Sequence, residues 1–160
     1  MAGHALHLVE ESDLPELLPL MRGYCDFYEV APADDDLLAM ARTLIADRVR
    51  EGLQLLARTE DGEAIGFVTV FWSWSTLSGC RIGVMNDLFV AAHARGSGVA
   101  DALIAGCVER CRERGGVTSL QWQTAKDNLR AQAVYERMGA TREEWLDYSL
   151  DVAPPPQAAR

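Results

Sequence analysis

Arg95-Gly96-Ser97-Gly98-Val99-Ala100 sets an arginine, a hydroxyl and two glycines at the head of an apolar series, Val99, Leu103, Ile104, Cys107, Val108 and Cys111, that follows helical spacing. A helix beginning there presents backbone N–H groups with no intrahelical acceptor, at the positive end of its macrodipole, and such groups attract phosphate. Glycine at 96 and 98 lets the backbone come close to a guest, and Arg95 adds a charge and a planar set of donors. The chemistry is therefore that of an anion cradle. Other reactive side chains read more plainly. The four cysteines, at 25, 80, 107 and 111, form no CxxC pair, and Cys107 and Cys111 lie one helical turn apart among apolar neighbours, as reduced, packed thiols do. His93 reads as a surface-loop histidine, and no set of residues has metal-ligand spacing.

The elements that must position the cradle follow from periodicity. Val84 to Val90 is an apolar strand leading into it, and Gly115-Gly116 ends the helix behind it. Ala5 to Val9 reads as a first strand, and Ser12 or Asp13 caps a helix with Pro15 in its first turn and Leu14, Leu17, Leu18 and Met21 on one face. That helix frays near Tyr24 to Glu29, ahead of Pro32. Asp34 to Asp36 open a second helix through Leu37, Leu38, Ala41, Leu44 and Ile45. Leu53 to Arg58 and Ala64 to Trp74 are strands joined by Glu60-Asp61-Gly62-Glu63, whose Asp-Gly signals a hairpin. Val117 to Thr124 is a strand, Asn128 to Met138 a helix stopped by Gly139, and Trp145 to Val152 a last strand. Trp72 and Trp74 can line a pocket, fill the core or face a dimer partner.

The order β-α-α-β-β-β-α-β-α-β implies one α/β (α+β) domain over residues 1–152, with a mixed, mostly antiparallel twisted sheet and helices on both faces. Residues 153–160, with Pro154-Pro155-Pro156, read as an extended tail. At 160 residues and net charge −9 the chain is an ordinary globular one whose acidity argues against nucleic-acid binding. No apolar run is long enough to span a membrane and the N-terminus does not read as a signal peptide, so the expectation is a cytoplasmic protein.

The segment Arg95 to Ala100 resembles the Q/R-x-x-G-x-G/A pattern of the GNAT superfamily of acetyl-CoA-dependent N-acetyltransferases. Asp87-Leu88-Phe89-Val90 precedes it. Asn128-x-x-Ala131-x-x-x-Tyr135-x-x-x-Gly139-Ala140 follows and is similar to the family's N-x-x-A-x-x-x-Y-x-x-x-G-F/A segment, so the likeness covers roughly residues 5 to 150. It implies a splayed strand pair at an acetyl-CoA site. A bulge opens the strand before the cradle, and the pantetheine amides bond it like an added peptide strand. By that resemblance Leu88, Phe89 and Val90 hold the pantetheine, and Arg95, Gly96, Ser97, Gly98, Val99, Ala100 and Asp101 the pyrophosphate. Asn128, Ala131 and Tyr135 lie beside the CoA arm.

The resemblance also implies roles in the chemistry. Attack by a neutral amine on the thioester expels a thiolate, and the Tyr135 phenol would be the acid that protonates it; a packing role for Tyr135 is the alternative. Asp87 is the nearest carboxylate to the cradle strand and the candidate base, beside a purely structural role. The chain looks closest to the polyamine and diamine acetyltransferases, the spermidine/spermine group, where a Glu-Asp pair stands at the positions of Asn86-Asp87. Tyr24, Asp26, Tyr28 and Glu29, together with Asn86 and Asp87, would meet the acceptor, rings and carboxylates suiting a cation. The expected activity is acetyl transfer to a small primary amine by direct attack in a ternary complex. A protein or peptide acceptor and a non-catalytic acyl-CoA sensor are the alternatives, and a homodimer is implied by the family.

Overall fold

A computed structural model describes residues 4–152. Two compact units make up the chain, residues 1–123 and 124–160. The first carries β1 (Ala5–Leu8), α1 (Leu14–Phe27), α2 (Asp34–Ala46), β2 (Gly52–Arg58), β3 (Ala64–Ser75), β4 (Cys80–Val90), α3 (Val99–Arg114) and β5 (Val117–Gln121); the second carries α4 (Leu129–Arg137). The strands lie side by side in chain order, and every pairing is antiparallel except β4 with β5. A parallel pair needs a long crossover, which α3 provides. This is the mixed, mostly antiparallel α/β architecture that the order of elements implies.

Alternation along the strands feeds two cores. Leu56 and Phe67 join Leu14, Leu17, Leu20 and Met21 of α1 and Ala41 of α2 on one face. On the other, Gly66 abuts Val99 and Leu103, Gly83 abuts Cys111, and Gly106 abuts Leu55, so α3 lies close against the sheet. The approach of α1 is equally tight: a Cβ at Gly23 would stand 2.6 Å from the Phe89 ring on β4. The hairpin turn at Asp61-Gly62 forms as expected, with Gly62 at φ +90°.

Helix α1 accepts Pro15 in its first turn and Pro19 inside, where a single helical N–H is lost. It runs to Phe27, within the Tyr24 to Glu29 stretch where its end is expected. The Val30 N–H then donates to the Cys25 carbonyl and the Glu29 N–H to that of Asp26, each at 3.1 Å, with Glu29 at φ +56°. That is a Schellman closure with glutamate where glycine is usual.

Three expectations shift. β4 starts at Cys80 rather than Val84, because Arg81 pairs across the ladder with Trp74 and its guanidinium lies 4.4 Å from the indole centroid. β5 stops at Gln121, before Thr124. Residues 145–152 form no strand: they are irregular, with Trp145, Leu146, Tyr148 and Leu150 exposed. An alternating pattern makes a strand only where a second edge takes up its backbone groups. The proposed tail, 153–160, lies outside the described residues. Of the two tryptophans, Trp72 is buried and its indole N–H donates to the Arg48 carbonyl at 2.8 Å, whereas Trp74 is exposed.

Candidate active site

The cradle has the expected form. Gly96 and Gly98 sit at φ +85° and +89°, and a Cβ on either would meet nothing within 4 Å. The first helical hydrogen bond of α3 runs from the Ala102 N–H to the Gly98 carbonyl, so the amides of Val99 and Ala100 have no intrahelical acceptor. Ser97 donates its hydroxyl to the Ala94 carbonyl at 2.7 Å, which fixes the turn, and its own carbonyl lies 3.1 Å from the His4 Nε2. Arg95 folds back: its Nε donates to the Val90 carbonyl at 3.0 Å and its guanidinium lies 5.7 Å from the Phe89 ring centroid. Asp101 stands in the first turn of α3. His93 is a surface residue, 3.2 Å from Glu63.

The strand before the cradle opens on one side. Its parallel ladder with β5 ends at Val84 opposite Gln121. Beyond that point no strand among the described residues pairs with this edge. On the other edge, the Ala91 N–H donates to the Ile65 carbonyl at 2.8 Å. Antiparallel pairs alternate between bonded and unbonded, so residues 91, 89 and 87 direct their backbone groups to β3 while Leu88 and Val90 direct theirs to the open edge. An extended chain bearing amides fits such an edge. Open space at both glycines, helical amides without an intrahelical acceptor and a strand edge that no described strand pairs with together suit the pyrophosphate and pantetheine of a CoA thioester.

A bulge brings the carboxylate into place. Thr69 pairs with Asp87 and Val70 with Met85, leaving Asn86 as the extra residue of β4. Met85 therefore points into the α3 core, Asn86 is exposed, and Asp87 lies on the α1 face, only 8% exposed. The Asn86 side-chain N–H donates to the Asp87 carboxylate at 2.9 Å, and the Thr69 and Tyr24 hydroxyls also favour its charged form. Burial nevertheless dominates and pushes the Asp87 carboxyl above its ordinary range. Burial, reinforced by the Asp87 charge, pushes the Tyr24 phenol up as well. The Tyr24 hydroxyl also lies 3.4 Å from the Asn86 carbonyl oxygen.

Around Tyr24 the rings continue outward. Its centroid is 5.1 Å from that of Tyr28, which is 5.0 Å from that of Phe27, both edge-on. Asp26 and Glu29 are exposed beside them at the C-terminal end of α1, where no basic residue stands in the last turn. The structure thus gathers Tyr24, Asn86 and Asp87 at one point and sets Tyr28, Asp26 and Glu29 along the same helix end. In the second unit, Asn128 caps α4, its side-chain oxygen accepting the Ala131 N–H at 3.2 Å. Tyr135 closes that helix through its carbonyl, which accepts the Ala140 N–H at 3.0 Å.

Two residues escaped the sequence reading. Gln54 on β2 and Thr69 on β3 are buried beside Asp87, and the Gln54 side-chain N–H donates to the Thr69 hydroxyl at 3.0 Å. Their signal was available: one amide within Leu53 to Ala57 and one hydroxyl within Phe67 to Phe71, each in an apolar run. Among the described residues no group of three His, Cys, Asp or Glu side chains is arranged to hold a metal ion, and no helix is long and apolar enough to cross a membrane.

Known proteins resemble this chain over most of its length. The model of the acetyltransferase (GNAT) family matches residues 16–140. The uncharacterised N-acetyltransferase YhfO of Bacillus subtilis (strain 168) is 32% identical over 142 residues, which cover 88% of this chain and 93% of YhfO. A crystal structure described as a probable acetyltransferase superposes with a TM-score of 0.81 at 27% identity, covering 94% of this chain and 99% of that one. The fold alone is shared with the aminoglycoside N-acetyltransferase AAC(6')-Iy in complex with CoA, at a TM-score of 0.79 and 21% identity over 96% and 97% of the two chains. Agreement of sequence and fold over so much of the molecule means that the chain belongs to the acetyltransferase (GNAT) family and is an acetyl-CoA-dependent N-acetyltransferase.

Proposed function

We propose that the acceptor is a small cationic amine, of the diamine or polyamine kind, and that Asp87 takes its proton as it attacks directly in a ternary complex. The observation that carries this is Asp87 itself, a buried carboxylate turned onto the α1 face by the Asn86 bulge and held above its ordinary proton affinity. An amine with a pKa near ~10 arrives protonated, so a base of raised affinity is required beside it. The negative end of the α1 macrodipole, Asp26, Glu29 and the Tyr24-Tyr28-Phe27 rings favour a cation there. Acetyl-CoA supplies the acyl group as a thioester. The amides of α3 and the turn at Gly96 to Gly98 would hold its pyrophosphate, and Leu88 and Val90 its pantetheine. Asn128 and Ala131 would flank that arm. Tyr135 would protonate the departing sulfur, a role resting on the family resemblance. A cytoplasmic setting, consistent with the free cysteines, and a homodimer using the face of Trp74 go with this proposal.

Thiol release from acetyl-CoA, followed over a panel of diamines, polyamines, amino acids and peptides, tests it. The expected result is saturable turnover with small amines, lowered about 100-fold or more by Asp87→Asn and by Tyr135→Phe while acetyl-CoA binding persists. Turnover with peptides and none with small amines would move the acceptor to proteins. Binding without any acceptor-dependent turnover would make the domain a sensor.

A further inference from the structure

Three strands set a polar row across the α1 face of the sheet. Gln54 on β2 pairs with Thr69 on β3, and Thr69 with Asp87 on β4. The next row on that face is Leu56 with Phe67, both apolar. The polar row is as deeply buried as its neighbour: Gln54 is 3% and Thr69 0% exposed. Its bonding has a direction. A hydroxyl has one proton, and because the Thr69 oxygen accepts the Gln54 N–H, that proton is left free to turn to Asp87, its partner across the ladder, whose charged form Thr69 favours. Turning the amide over would reverse the bond, draw the proton toward Gln54 and deprive Asp87 of a donor. Among the described residues the Gln54 side-chain oxygen is buried without a hydrogen-bond partner. A core residue chosen for packing alone would not carry that penalty.

We propose that Gln54 and Thr69 are positioning residues for the transfer step, fixing the Thr69 proton on Asp87 and so setting the pH range in which Asp87 accepts a proton from the amine. The proposal rests on Asp87 as the base. The other groups that face this carboxylate are Tyr24 and the Cys25 thiol from α1 and the Asn86 amide from β4; Asp87 has no ion pair among the described residues. With hydroxyl and amide donors in place of a cation, each donor bears measurably on its proton affinity, and loss of one raises that affinity.

The test is the pH profile of kcat/KM for Thr69→Val, Thr69→Ser and Gln54→Met, read beside a direct titration of Asp87 through its carboxyl-carbon resonance in the free enzyme. Thr69→Val is expected to move both the acidic limb and the Asp87 titration upward by about one pH unit, Gln54→Met to move them less in the same direction, and Thr69→Ser to leave them in place. Gln54→Met conserves volume and serves where Thr69→Val fails to fold. An Asp87 titration unmoved in a folded Thr69→Val or Gln54→Met variant overturns the proposal. Asp87→Asn separates the two ideas: if it retains the acidic limb, Asp87 is not the base and the positioning role falls with it, even where the titration shifts.

Discussion

Gly98→Ala, compared with Gly62→Ala, isolates what the cradle does. Both glycines sit near φ +90°, and an added Cβ at either meets nothing within 4 Å. The backbone penalty is therefore matched: an alanine forced into the left-handed region costs about 1–2 kcal/mol. For a chain of this size that lowers Tm by roughly 2–8 °C, at about 2–4 °C per kcal/mol. The two sites differ in what approaches them. Gly62 turns a hairpin between β2 and β3, whereas Gly98 begins α3, and on the proposed reading the open space over it would take a pyrophosphate at the helix amides. A methyl there would hold the phosphate off and weaken one or two charge-assisted hydrogen bonds, each worth about 1.5–3 kcal/mol. At ~1.4 kcal/mol per decade, the Kd for acetyl-CoA should rise at least about tenfold. Calorimetric titration with acetyl-CoA and thermal melts on both variants give the comparison. Equal losses of stability with only Gly98→Ala losing affinity is the expected outcome; a Kd within about threefold of that of Gly62→Ala would refute the cradle as the phosphate site.

Glu29→Gly should stabilise the protein. It relieves a φ of +56° at about 1–2 kcal/mol and costs about 0.5–1 kcal/mol of backbone entropy, a net gain of up to about 1.5 kcal/mol, so Tm should rise by up to roughly 6 °C, and a fall would show that the glutamate side chain contributes more than its backbone strain. Asp13 ties α1 to the sheet. Burial works to raise its carboxyl, but the Glu10 amide, Arg58 and His7 outweigh burial and hold it below the ordinary range. Stability from the ionised form is thus complete above the unfolded value of 3.8 and is lost as pH falls through the lower folded value. Asp13→Asn should cost about 1–3 kcal/mol at pH 7 by urea unfolding, a gap that narrows in acid; a gap independent of pH would contradict the assignment.

Local signals carried much of the fold. Asp61-Gly62 marked a hairpin because glycine is needed at its positive φ, and the helical face from Val99 to Cys111 marked α3 because burial at that spacing permits little else. What local signals could not supply is register. Gln54, Thr69 and Asp87 are far apart in the chain and meet only because β2, β3 and β4 pair as they do. The extra residue at Asn86 decides which face Asp87 occupies; the family resemblance implies a bulge in this strand, but nothing in Met85-Asn86-Asp87 by itself locates it. Residues 145–152 err the other way. Their alternation looked sufficient for a strand, yet a strand is a property of two edges, and these side chains stay exposed. The form of the candidate cradle was legible for the opposite reason: glycine turn and helix start belong to one short stretch.

The bulge also links the stability of the molecule to its chemistry. Because burial raises the folded-state proton affinity of Asp87, its protonated form favours the fold, and that contribution fades as pH rises through the raised value. At neutral pH an ionised Asp87 therefore weighs against the native state, by about 1.4 kcal/mol for each pH unit of the shift. If Asp87 is the base proposed above, the same free energy is what the carboxylate would gain on taking a proton from an ammonium ion beside it. A surface aspartate would cost the fold nothing and would be a poor base; a buried one without Thr69, Tyr24 and Asn86 would hold its proton too firmly to be ionised when the amine arrives. The three donors and the depth of the site thus act against each other, and in the proposed reaction their balance would set how readily Asp87 both receives the proton and releases it.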